Sequence, residues 1–171
     1  SEILYGGAAG GGKTWLGCTW IITQCLKYPG TKWIIGRSEL KALKNTTLSS
    51  FFEICEKDMK LQADVHYKFN IHDSKIKWFN GSEVLFIDLK LYPSDPNFDS
   101  LGSLEITGGF IDEVNQITEK AKNIIATRIR YKLDENKITP KLLMSCNPAK
   151  GWVYDQFYKA SLIGNLEKYR A

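Results

Sequence analysis

Gly7-Ala8-Ala9-Gly10-Gly11-Gly12-Lys13-Thr14 constrains this chain more than any other stretch. It is a complete P-loop pattern: a glycine, four residues, then Gly-Lys-Ser/Thr. The pattern carries meaning only between a strand and a helix, and both flanks are readable. Ile3-Leu4-Tyr5 is a short apolar strand, and a helical stretch starts near Lys13. Glycines let successive backbone N–H groups turn inward around a phosphate, at the positive end of a helix. Lys13 then reaches the β- and γ-phosphates, and the Thr14 hydroxyl ligates Mg²⁺. The candidate contacts to ATP are therefore Gly7, Ala8, Ala9, Gly10, Gly11, Gly12, Lys13, Thr14 and Trp15. A glycine-rich turn that binds nothing would need neither the Lys-Thr ending nor the strand–helix frame.

With 171 residues, 43% of them hydrophobic and 25% charged, the chain reads as one globular domain with its own core. A net charge of +4 permits a nucleic-acid partner without demanding one. Cys18, Cys25, Cys55 and Cys146 are widely spaced, and with His66 and His72 they show no zinc-site pattern. Reduced, buried thiols are the expectation. No apolar run approaches a membrane span, and the start of the chain lacks a signal-peptide pattern, which points to a soluble protein of the cytoplasm.

Apolar strands alternate with helical stretches along the chain. Trp15, Cys18, Thr19, Ile22, Cys25 and Leu26 recur at helical spacing, so Lys13 to about Lys27 is an amphipathic helix, stopped by Tyr28-Pro29-Gly30. Lys32 to Gly36 reads as a buried strand. Glu39 to about Lys60 reads as a helix interrupted near Asn45-Thr46-Thr47. Tyr67–Ile71, Ile76–Phe79 and Val84–Ile87 read as strands, the last two joined by an Asn80-Gly81 hairpin turn. Leu89 to Ser100 is a long loop, and then follow a strand from Ile106 to Asp112, a helix from Thr118 to Arg130, a strand from Lys141 to Cys146 and a short helix from Val153 to Lys159. Such alternation implies an α/β fold, mostly parallel, with a β-hairpin inserted mid-chain.

Gly109-Phe110-Ile111-Asp112-Glu113 is the second informative group. Ligands gather at the carboxyl ends of parallel strands, so a strand beside the P-loop strand would bring both carboxylates to the phosphates. Asp112 would then hold the Mg²⁺ shell, and Glu113 would take a proton from the attacking water. Acidic residues also cap helices, and that remains the competing use of this pair. Third, Ser145-Cys146-Asn147-Pro148 closes a buried strand at the same expected face. Ser145 and Asn147 could hydrogen-bond a γ-phosphate, or the segment is an ordinary strand end with an Asn-Pro turn.

Together these pieces resemble the ATPase motor of the large terminase subunit of tailed phages. The resemblance rests on Gly7 to Thr14, Phe110-Ile111-Asp112-Glu113, and Ser145-Cys146-Asn147-Pro148 followed by Gly151-Trp152 and an aromatic-rich helix. The stretch Ile76-Lys77-Trp78-Phe79-Asn80-Gly81-Ser82-Glu83-Val84 is similar to a hairpin of those motors, and Thr127-Arg128-Ile129-Arg130 falls in the matching place. It implies a RecA-like P-loop fold of the additional-strand, catalytic-glutamate type, covering residues 1–171 as a single domain. It also implies ATP hydrolysis that drives double-stranded DNA into a procapsid, a homo-oligomeric ring, and work alongside a portal protein, a small terminase subunit and a nuclease domain. Ser145-Cys146-Asn147 would be the coupling motif.

The chain departs from that pattern at its arginines. Many such motors carry an arginine within the P-loop, where this chain has Ala8, Ala9, Gly10 and Gly11. Others have one about ten residues before the catalytic glutamate, where this chain reads Ser100-Leu101-Gly102-Ser103. Charge in the transition state still needs neutralising, which leaves Arg37, Arg128 and Arg130, with Arg128 or Arg130 preferred as a finger between subunits. After Asn147 only Asp155 and Glu167 carry carboxylate side chains, too few for a two-metal nuclease, so a motor domain alone is expected. Helicase-type motors and nucleotide-switched binding modules are the competing readings; Glu113 argues against the second.

Overall fold

A computed structural model describes residues 1–7 and 11–162. Its centre is a seven-stranded sheet in the order β1-β7-β6-β2-β5-β4-β3. The strands are β1 (Glu2–Gly6), β2 (Lys32–Arg37), β3 (Tyr67–Asn70), β4 (Lys75–Trp78), β5 (Glu83–Asp88), β6 (Gly108–Ile111) and β7 (Lys141–Cys146). From β1 through β5 every neighbouring pair is parallel; β4 and β3 then run antiparallel at the far edge.

Side chains along the parallel strands alternate between two cores. Ile3, Trp33, Ile35, Val84, Phe86, Phe110 and Leu143 point to one face; Leu4, Ile34, Leu85, Ile87, Ile111, Leu142 and Met144 point to the other. A parallel sheet covered on both sides demands apolar residues at successive positions, and the sequence supplies them. The first face is covered by α1 (Lys13–Lys27) and α3 (Thr47–Glu53), with the short α2 (Leu40–Asn45) leading into α3. The second is covered by α4 (Glu119–Thr127), the loop after β5 and the helical stretch 152–162.

The buried stripe of α1 is Gly17, Cys18, Ile21, Ile22 and Cys25, whereas Trp15 is 38% exposed, so the apolar periodicity was displaced by one position at its start. Gly17 is required by close approach: a Cβ there would sit 2.2 Å from the Phe110 ring of β6. The Asn80-Gly81-Ser82 turn explains its own residues. Asn80 Nδ2 and Ser82 Oγ donate to the Cys25 carbonyl at 2.8 and 2.9 Å, satisfying an end of α1 that the helix cannot bond itself. The hairpin is therefore an extension of the main sheet clamped to α1, with β5 bonded to β2 on its other side.

Two helical stretches are instructive, and the strand ends move by one or two residues. The stretch from Glu39 to Lys60 breaks at Thr46, as expected, and α3 continues into wider turns over Ile54–Asp58. The expected helix to Arg130 stops at Thr127 because the following chain is drawn into pairing with the start of β6. Ile106 N–H donates to the Arg128 carbonyl at 3.0 Å, Arg130 N–H donates back at 2.9 Å, and Ile129 bridges Ile106. No helix among the described residues is long and apolar enough to cross a membrane.

Candidate active site

Four parallel strands end at one rim: β1 feeds the P-loop, β6 ends before Asp112, β7 before Asn147, and β2 at Arg37. In an open α/β sheet this carboxyl rim is where ligands bind. Gly12 begins α1 with φ 66°, a left-handed value that suits glycine, and its carbonyl accepts from Leu16 N–H at 2.9 Å. Lys13 Nζ donates to the Gly7 carbonyl at 2.9 Å, so the lysine folds back toward the end of β1. Ala8, Ala9 and Gly10 lie outside the described residues; Gly11, Gly12 and Trp15 are exposed at the rim.

Asp112 is 2% exposed, and three hydroxyls hydrogen-bond its carboxylate. Thr14 Oγ1 donates across both carboxylate oxygens at 3.2 and 3.1 Å, Ser145 Oγ donates to Oδ1 at 2.6 Å, and Thr47 Oγ1 donates to Oδ2 at 2.7 Å. A carboxylate offers about four lone-pair sites, so three hydroxyl donors leave room for roughly one more. That arrangement fits a divalent cation. Thr14 can keep its proton on Asp112 while its own lone pairs face a metal, and the remaining acceptor site of Asp112 can take a metal-bound water.

Glu113 sits at φ 52°, ψ 51°, a left-handed conformation for a non-glycine residue. Such a backbone costs about 1–3 kcal/mol and persists only where neighbours hold it. Two do. The Glu113 N–H donates to Ser145 Oγ at 3.1 Å, and its carboxylate takes an ion pair from Arg37 Nη2. The other arm of Arg37, Nη1, donates to Thr46 Oγ1. Burial is partial at this pair, 12% side-chain exposure for Arg37 and 24% for Glu113, so water can reach the glutamate from the rim.

The remaining candidates separate. Asn147 is half-buried one residue past β7, at the same rim. Ser145, at 1% exposure, bridges Asp112 and the backbone of Glu113. Arg128 and Arg130 lie beside Ile106, at the start of β6 and so at the opposite rim, about 20 Å of strand from Asp112. Arg130 pairs with Glu105 at 3.2 Å on the surface, and Arg128 Nε is buried without a hydrogen-bond partner among the described residues. They follow the Asp-Glu segment in sequence, but α4 carries the chain back across the sheet. Sequence reasoning also passed over Thr47; the only signal was the helix break it adjoins.

Burial pushes the Cys18 and Cys25 thiols far up and Cys55 to about 12; Cys146 is raised by burial and pulled partly back by Lys13.

Known structures share this fold, although no curated protein matches the chain. The large terminase of a thermophilic bacteriophage superposes with a TM-score of 0.74 at 16% identity, over 98% of this chain and 38% of that one. The same terminase has been solved with ADP and with ATP-gamma-S. The large terminase ATPase domain of Thermus phage P74-26 gives 0.62 at 14% identity, over 91% and 63%, and the HK97 bacteriophage large terminase 0.70 at 13%, over 96% and 33%. The chain thus spans less than two thirds of each relative's length. Its fold is theirs: a RecA-like P-loop sheet, with β7 as the additional strand between the P-loop strand and the Asp112–Glu113 strand. The profile of the phage terminase large subunit matches residues 1–170, and the chain belongs to that family.

Proposed function

We propose that this chain is a Mg²⁺-dependent ATPase and the motor domain that drives double-stranded viral DNA into a procapsid. What supports it most is the contact of Thr14 with Asp112, which joins the P-loop to the acidic strand end and sets Glu113 beside both. Gly7, the loop through Gly12, Lys13, Thr14 and Trp15 would bind the nucleotide. Thr14 and Asp112 would hold Mg²⁺, which supplies charge neutralisation at the phosphates when bound. Glu113 would accept a proton from the attacking water, and Arg37 would orient its carboxylate. Asn147 would contact the γ-phosphate. Arg37 is the arginine this chain brings to its own site; Arg128 and Arg130 would act only on the site of a neighbouring subunit.

DNA contact would be sequence-independent, since a motor must step along any sequence, and would fall on lysines facing phosphates. Lys41 and Lys44 of α2 and Lys75 and Lys77 of β4 are the candidates from sequence. The sheet adds Lys68, directly opposite Lys77 across the β3–β4 pair and exposed with it. A homo-oligomeric ring, a portal protein, a small terminase subunit and a nuclease domain complete the proposed assembly in the host cytoplasm.

Phosphate release measured alone, with double-stranded DNA and with single-stranded DNA tests the proposal. Stimulation by duplex DNA, weakening as salt rises, is expected. Stimulation by single strands alone would favour a helicase-type motor, and binding without turnover would favour a nucleotide-switched module.

A further inference from the structure

The helix that follows β2 breaks at Thr46, where φ is −123° and ψ −70°, and restarts at Thr47. The two threonines at the break behave differently. Thr46 Oγ1 donates to the Ala42 carbonyl at 2.8 Å, the local bond a hydroxyl makes four residues along a helix. Thr47 Oγ1 makes no such local bond. It crosses to β6 and donates to Asp112 Oδ2 at 2.7 Å, from a residue that is fully buried. Cys18 of α1 lies against the Thr47 carbonyl at 3.7 Å, so α1 backs the residue from the other side.

We propose that Thr47 is a positioning residue for the metal site, fixing the carboxylate of Asp112 so that its remaining lone pair faces the cation held with Thr14. The inference rests on the ATPase reading above and deepens it. The terminal torsion of an aspartate is soft, so a carboxylate held at one oxygen can still rotate. Ser145 holds Oδ1 and Thr47 holds Oδ2, while Thr14 is shared between them. Removing the Thr47 hydroxyl frees one oxygen to turn toward Thr14, which would draw the threonine away from a metal.

The test uses Mn²⁺ as a spectroscopic stand-in for Mg²⁺, with ATP present, against the parent, Thr47→Val, Thr47→Ala and Thr47→Ser. Electron paramagnetic resonance reads Mn²⁺ bound to the protein–ATP complex, and calorimetry in EDTA reads ATP binding without metal. Outer partners of metal sites typically account for about 10–100-fold in metal affinity. Thr47→Val and Thr47→Ala should therefore lose about tenfold in Mn²⁺ affinity while metal-free ATP binding stays within about twofold of the parent, and Thr47→Ser should keep most of the parental value. Two variants that lack the hydroxyl, one of the same shape and one smaller, guard against a folding failure in either. Parental Mn²⁺ affinity in a folded Val or Ala variant overturns the proposal while leaving the ATPase reading intact. A parent that shows no metal-dependent ATP binding overturns both.

Discussion

Arg37, the last residue of β2, holds the carboxylate of Glu113, two residues past the end of β6, and the two are joined by a charged hydrogen bond across neighbouring strands. The pair puts an arginine of this chain's own on the group proposed to activate water. Arg37→Ala should lower turnover about tenfold or more, because a misplaced base loses much of its effect, while ATP affinity changes little. Steady-state kinetics separate the two. Mixing Arg37→Ala with Lys13→Ala protomers should give no rescue, since Arg37 serves its own site. Rescue on mixing Arg128→Ala or Arg130→Ala with Lys13→Ala would instead place a finger on the neighbouring subunit.

Ser145→Ala removes one hydroxyl that serves two strands. Asp112 loses a donor and the strained Glu113 backbone loses the acceptor that holds it. Stability should fall by about 1–3 kcal/mol, read as a lower midpoint in chemical denaturation. Turnover should fall further than ATP affinity, because the nucleotide does not need Ser145 to bind. A variant with parental stability would show that the bridge between Asp112 and Glu113 is not formed in solution.

Asn80→Ala should cost about 1 kcal/mol, lowering the melting temperature by about 3 °C, with ATP binding unchanged. Its amide donates to the Cys25 and Leu26 carbonyls at the far end of α1 from the P-loop. Differential scanning calorimetry and a nucleotide titration on the same sample check both halves.

The buried thiols predict a pH dependence. In the unfolded chain they ionise near their ordinary value of 9.0, whereas burial holds Cys18, Cys25 and Cys55 protonated in the fold. A group whose folded value is raised contributes its stability below the unfolded value and loses it as pH climbs. Denaturation midpoints should therefore be flat from pH 7 to 8 and fall between pH 9 and 11, less steeply in Cys25→Ala.

Much of this was legible in residues with local causes. The P-loop, the strand before it and the Asp112–Glu113 end are each encoded within a few positions, and the Asn80-Gly81-Ser82 turn likewise. The break at Thr46 was visible too, as a gap in apolar spacing. What the sequence concealed is what depends on the path of the chain between elements. Arg128 and Arg130 follow Glu113 closely, yet α4 returns them to the opposite rim, and the pairing of Ile129 with Ile106 ends the helix early. Arg37, a candidate from its place after the second strand, meets Glu113 because β2 lies beside β6; Thr47 reaches Asp112 only because α3 folds over the sheet, which no spacing within the chain announces.

Calorimetry and phosphate release on Lys13→Ala and Glu113→Gln, beside the parent, test the central claim most directly. The parent should bind ATP with Mg²⁺ and release phosphate. Lys13→Ala should lose binding through the missing charge on the phosphates. Glu113→Gln keeps shape but cannot accept a proton, so it should bind ATP as the parent does and hydrolyse it about a hundredfold more slowly or worse. Parental turnover in Glu113→Gln, or parental ATP affinity in Lys13→Ala, would contradict the account.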